Sequence, residues 1–176
     1  SDPDIYALGD AVELPDPIAR RTDEEVIREC PWATTGKPAT RERNIITSLD
    51  LDPAKQERHN IHLQEKYRKM QDEVRFEKIM CDDAEYLFVA YGSTARIVQK
   101  SVQLARDKGI KAGLLRPITL YPFPSDAVSE LAKRVKAMMA VEMSAGQMVE
   151  DVRLAVGCRI PVEFHGRMGG MIPSPD

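Results

Sequence analysis

Four short clusters hold the residue types best suited to chemistry. Gly92-Ser93-Thr94 joins a glycine to two hydroxyls, an anion cradle if it opens a helix. Arg116-Pro117-Ile118-Thr119 supplies a guanidinium, and Glu142-Met143-Ser144-Ala145-Gly146-Gln147 supplies one acid. His165-Gly166-Arg167-Met168-Gly169-Gly170 adds an imidazole and a second guanidinium. Arg116, Arg167 and His165, with the start of a helix, could bind a carboxylate or phosphate. Arg116 and Glu142 could equally pair as structural ions between neighbouring loops, and the pair is favoured. Gly92-Ser93-Thr94 is neither a dinucleotide-binding glycine pattern nor a Walker loop, and an ordinary helix cap accounts for it as well.

Nothing else assembles into a reaction centre. The chain shows no Ser/His/Asp set, no cluster of metal ligands and no spaced pair of catalytic carboxylates, so it is assigned no catalytic, cofactor-binding or metal residue. Glu142 alone identifies no reaction. Cys30, Cys81 and Cys158 are distant and odd in number, which argues against a zinc site or an iron–sulfur cluster held by this chain. They read as structural thiols of a reducing cytoplasm. His59 and His62 stand three apart on a helical stretch with no further ligands suggested, so surface or interfacial histidines are expected. Met138, Met139, Met143, Met148, Met168 and Met171 read as core and interface filling.

The elements that must position these residues follow a regular grammar in the second half. Tyr86–Tyr91 is a continuous apolar run, the mark of a strand buried on both faces. A helix then places Ala95, Val98, Val102 and Ala105 on one side and stops at Lys108-Gly109. Ala112–Leu115 is the next strand, and Arg116–Pro124 is a proline-stiffened loop. Val128, Leu131, Ala132 and Val135 mark a second helix, and Ala137–Val141 a third strand. Ser144–Gln147 has the spacing of a capping box for another helix, stopped at Gly157. Pro161–Phe164 is a last, shorter strand. Strands alternating with helices predict a parallel sheet between helical layers, with ligands gathered at the carboxyl ends of the strands.

The first half differs. Residues 1–85 hold 13 basic and 20 acidic side chains, a net −7, whereas residues 86–176 hold 12 and 8, a net +4. Prolines at 3, 15, 17, 31 and 38 keep residues 1–50 irregular. Thr22–Glu25 fits a capping box for a short helix ended by Pro31. The sole tryptophan, Trp32, needs burial on something. Asp52-Pro53 opens a charged helix whose Leu63, Tyr67, Met70 and Val74 form a seam. Alternation in Val74–Ile79 allows an edge strand. With 176 residues and an overall charge of −3, the chain suits one domain with an appendage, and a nucleic-acid binder is disfavoured. No apolar stretch reaches membrane-spanning length, and no leader is evident, so a cytoplasmic protein is expected. The chain opens at Ser1 without Met, as a processed terminus, a tag remnant or a fragment would.

Ala90–Ile97, Gly113–Pro124, Val141–Val152 and Gly166–Gly170 together resemble the α subunit of 2-oxoacid:ferredoxin oxidoreductases, of the branched-chain and 2-oxoglutarate type. Val12–Pro15 and Trp32–Gly36 resemble that family's inter-domain segment. The resemblance implies an enzyme that decarboxylates a 2-oxoacid oxidatively with thiamine diphosphate, passing the acyl group to coenzyme A and electrons through iron–sulfur clusters to ferredoxin. It implies a C-terminal portion of the subunit: residues 1–52 as linker and end of the preceding domain, 53–85 as charged helix and edge strand, and 86–176 as a domain similar to the transketolase C-terminal domain. The implied fold is a three-layer α/β/α sandwich on a mostly parallel five-stranded sheet with one antiparallel edge strand.

No position matches the family's thiamine diphosphate, magnesium or iron–sulfur motifs. The implied role is structural: packing against the N-terminal part of the same subunit, the β subunit and an iron–sulfur subunit, with ferredoxin met through the complex and the isolated chain inactive. Two alternatives stand beside it. One is a small-anion or nucleotide-binding regulatory module using Gly92, Ser93, Thr94, Arg116, Glu142 and Arg167; the other is a dimerisation module using the helical seam.

Overall fold

The computed structural model describes residues 51–175 and, before them, Thr22, Glu24, Glu25, Arg28, Glu42 and Leu49. Trp32, Cys30 and the rest of the expected irregular region lie outside the described residues. Two compact units are Glu13–Lys66 and one that includes Tyr67–Asp176, so the helix Pro53–Met70 begins in the first and ends in the second.

In the first unit the local hydrogen-bonding signals are realised. Thr22 Oγ1 accepts from the Glu25 amide at 3.2 Å, and the Glu25 carboxylate accepts from the Thr22 amide at 2.8 Å, closing the expected box. Asp52 Oδ1 accepts from the amides of Ala54 and Lys55 at 3.0 and 3.2 Å. Pro53, which has no amide to satisfy, takes the first position of helix α1, Pro53–Met70. Such a cap is worth about 1 kcal/mol. No residue of α1 is buried, so the seam of Leu63, Tyr67 and Met70 is covered only in part.

The second unit is built on β1 (Phe76–Ile79), β2 (Tyr86–Val89), α2 (Gly92–Asp107), β3 (Ala112–Pro117), α3 (Ser125–Ala132), β4 (Ala137–Glu142), α4 (Met148–Val156) and β5 (Val162–Gly166). The strands form one sheet in the order β1-β3-β2-β4-β5. Pairings β2–β3, β2–β4 and β4–β5 are parallel, and β1 pairs antiparallel with β3 at the edge. The fold is therefore the α/β arrangement expected, with the antiparallel edge strand supplied from the alternating stretch.

Side-chain alternation divides the core between the two faces. Leu87, Val89, Leu115, Met138 and Ala140 pack against Val128 and Leu131 of α3 and Val149 and Val152 of α4. Ala90, Ala112, Leu114 and Val141 pack on the other face against Ala95, Val98 and Val102 of α2. Among the described residues one face thus carries two helices and the other carries one.

Two elements depart from expectation. β3 runs two residues further than Leu115, because Glu77 and Phe76 of β1 pair with Arg116 and Pro117. The proline loop begins only after them. It is closed by Thr119, whose hydroxyl donates to the Pro122 carbonyl at 3.0 Å and accepts from the Arg75 amide at 3.0 Å. Helix α3 ends at Ala132, and Val135 is buried beyond it.

Candidate functional site

The strand order fixes where a site would lie. From β2 the chain crosses to β3 over one face, and from β3 and β4 it crosses over the other. Neighbouring strands β2 and β4 therefore send their helices to opposite faces, and the crevice at their carboxyl ends is the topological switch point. Tyr91–Thr94 and Glu142–Gln147 flank it.

On the β4 side the centre is Glu142, whose side chain is wholly buried. Its carboxylate accepts from the amides of Gln147 and Met148, both at 3.1 Å, and of Val149 at 2.9 Å. Ser144 Oγ donates to the same carboxylate at 3.0 Å and accepts from the Gly146 amide at 3.0 Å. The chain has placed its own anion at the start of α4, where free amides and the helix dipole favour negative charge. Gly146 holds φ +109°, and a Cβ there would press on Val149.

This geometry corrects two expectations. The Ser144–Gln147 capping box does not form: α4 begins at Met148, and Glu142 caps it from the preceding strand. Nor do Arg116 and Glu142 pair. Two strand spacings separate β3 from β4, and alternation sends Arg116 to the α2 face and Glu142 to the α3/α4 face. Arg116 Nη1 instead donates to Glu77 Oε2 at 3.0 Å, its cross-strand neighbour, while its Nε is buried without a partner.

Charge from Glu142 reaches its surroundings. Burial, and then the Glu142 carboxylate, push the Tyr91 phenol above its ordinary range. Burial and then Glu142 likewise raise the Asp151 carboxyl. On the β2 side, α2 starts from an extended Tyr91 with no side-chain cap; Gly92 takes φ +54°, Thr94 is buried and Ser93 is exposed.

The remaining candidates do not converge. His165 and Arg167 are exposed at β5, three strand spacings from Arg116 on β3, or roughly 14 Å. The small-anion reading thereby loses its clamp. His59 and His62 are exposed, and the described residues contain no group of His, Cys, Asp or Glu able to hold a metal ion. With its amides taken by Glu142, the start of α4 does not fit a magnesium–diphosphate group. No helix among the described residues is long and apolar enough to cross a membrane.

Comparison with known proteins gives this frame a family context. The model for pyruvate:ferredoxin oxidoreductase core domain II matches residues 84–176. Ketoisovalerate oxidoreductase subunit VorB of Methanothermobacter thermautotrophicus is 46% identical over 172 residues, covering 94% of this chain and 48% of that subunit. 2-Oxoglutarate synthase subunit KorA of Archaeoglobus fulgidus is 40% identical over 96 residues, covering 54% of this chain and 27% of KorA. The solved 2-oxoglutarate:ferredoxin oxidoreductase of Magnetococcus marinus shares the fold with a TM-score of 0.62 at 21% identity, over 81% of this chain and 26% of that one. The chain thus spans about half the length of its VorB relatives.

Proposed function

The chain belongs to the pyruvate:ferredoxin oxidoreductase core domain II family, and from that membership we propose that it is the structural C-terminal part of an α subunit in a 2-oxoacid:ferredoxin oxidoreductase. The observation that carries this is the match of nearly the whole chain to half of VorB. Glu142 supports a structural role: at the switch point, where such folds bind ligands, the protein fills the helix terminus with its own carboxylate. In this proposal thiamine diphosphate, magnesium, coenzyme A and the iron–sulfur clusters are held by other polypeptide of a hetero-oligomeric complex.

The partners are the N-terminal part of the same subunit, the β subunit and the iron–sulfur subunit, with ferredoxin met through the complex, and the compartment is the cytoplasm. In this proposal residues 1–52 are the linker and end of the preceding domain, 53–85 carry the charged helix and the edge strand, and 86–176 form the domain body. The VorB likeness makes 2-oxoisovalerate the first substrate to try, followed by 2-oxoglutarate and pyruvate. The test is oxidation of these acids with coenzyme A, thiamine diphosphate and a viologen acceptor. The chain alone gives no turnover, and the complex reconstituted around it does. Turnover by the chain alone overturns the proposal.

A further inference from the structure

The two faces of the sheet are covered unequally. Sheets built mainly of parallel strands are buried on both sides. Among the described residues α3 and α4 cover one face, while α2 alone covers the other, over Ala90, Ala112, Leu114 and Val141. Beside α2, toward the amino ends of β2 and β4, an apolar cleft of about 470 Å³ stays open. Its walls include Tyr86, Phe88, Ile110, Met138 and Met139, and among the described residues Glu163 is the charged one. On this cleft Tyr86 is 43% exposed and Ile110 45%. The cleft lies at the end of the sheet opposite Glu142 and the switch point.

We propose that this cleft receives an apolar side chain from the part of the same subunit that this chain does not contain. This rests on the reading given under Proposed function. The length supports it: this chain matches 48% of VorB, so in the proposed subunit a segment of comparable size would need a surface on which to pack. The chemistry of the lining selects the contact, since an almost wholly apolar wall gains from excluding water with an aromatic or branched aliphatic group. Lys136, ion-paired to Glu85 and lying 5.8 Å from the centre of the Tyr86 ring, gives the rim a polar margin. A second copy of this chain is the competing occupant.

The test binds the 176-residue chain to the remaining half of its subunit, expressed separately, and measures affinity by calorimetry. Tyr86→Arg and Ile110→Arg should each weaken binding by about tenfold or more, as central apolar contacts do. Leu154→Arg, on an α4 side chain that is 83% exposed, should leave it within about twofold, as surface positions outside a contact do. Unchanged far-ultraviolet circular dichroism establishes that the variants fold; their wild-type positions are already partly solvated. If the unsubstituted chain binds and all three variants bind equally, the cleft is the wrong surface while the subunit reading stands. If the unsubstituted chain does not bind the other half, the subunit reading falls and the cleft assignment with it. A chain that is dimeric by light scattering and becomes monomeric with Ile110→Arg assigns the cleft to a second copy and overturns the proposal.

Discussion

At the scale of single residues, Glu142 organises the carboxyl edge by satisfying three amides and a hydroxyl. Glu142→Ala strips those donors of their acceptor in a buried setting. The expected loss is about 3 kcal/mol, read as a lower urea midpoint, with Ser144→Ala losing about 1 kcal/mol. Equal midpoints for Glu142→Ala and the unsubstituted chain would show that the cap contributes nothing. The acid was visible in the sequence, but its role was not. Ser144 and Gln147 have the spacing of a capping box, and no periodicity reveals that a side chain on the preceding strand points at the same amides. Cys81 and Cys158 were both read as structural thiols, and the structure buries Cys81 but leaves Cys158 exposed. Burial raises the pKa of Cys81, and its Sγ donates to the Leu114 carbonyl at 3.3 Å. Peptide-resolved alkylation at pH 8 should therefore modify exposed Cys158 well before Cys81. Equal rates would place Cys81 outside the core.

At the scale of elements, the strands and helix ends were legible because they follow local rules. Unbroken apolar runs gave the parallel strands, and Gly157, at φ +60°, ended α4 where the pattern stops. Pairing between elements was less legible. The Arg116 partner depends on the order of the strands, and β3 gained its last residues only through β1. The link between β1 and β2 illustrates a device that sequence spacing hides. Arg106 of α2 donates to the carbonyls of Ala112 at 2.7 Å and Met80 at 2.8 Å, and to the Asp83 carboxylate at 2.6 Å. Beneath it Gly113 leaves no room for a Cβ, which would sit 2.7 Å from the Met80 carbonyl oxygen. Arg106→Ala should lower the urea midpoint, with Arg106→Lys a poor rescue because the planar fork is lost. Hydrogen bonding to Arg106 holds the Asp83 carboxyl below its ordinary range. A depressed acid stabilises the fold above its unfolded pKa and ceases to do so as pH falls through its folded pKa. The stability gap between the unsubstituted chain and Asp83→Asn should accordingly be present at neutral pH and close on acidification below about pH 4. A gap that is constant across that range would contradict the ion pair.

At the scale of the whole molecule, Glu142 caps α4 at the carboxyl edge of the sheet and an apolar cleft lies at its other end. Fold and family were readable together because the motif-bearing segments coincide with strand ends and helix starts. The substrate was not readable, because no converging set of side chains marks a pocket among the described residues; Arg116 and Arg167 lie far apart in the sheet. The measurement that bears most directly on the account is the single-turnover release of carbon dioxide from 2-oxoisovalerate, with thiamine diphosphate, coenzyme A and an electron acceptor present. It is made first on this chain alone and then on the chain assembled with the rest of its α subunit, the β subunit and the iron–sulfur subunit. The account predicts no release in the first case and release in the second. Release by the chain alone, or none from the assembled complex with any 2-oxoacid tried, would contradict it.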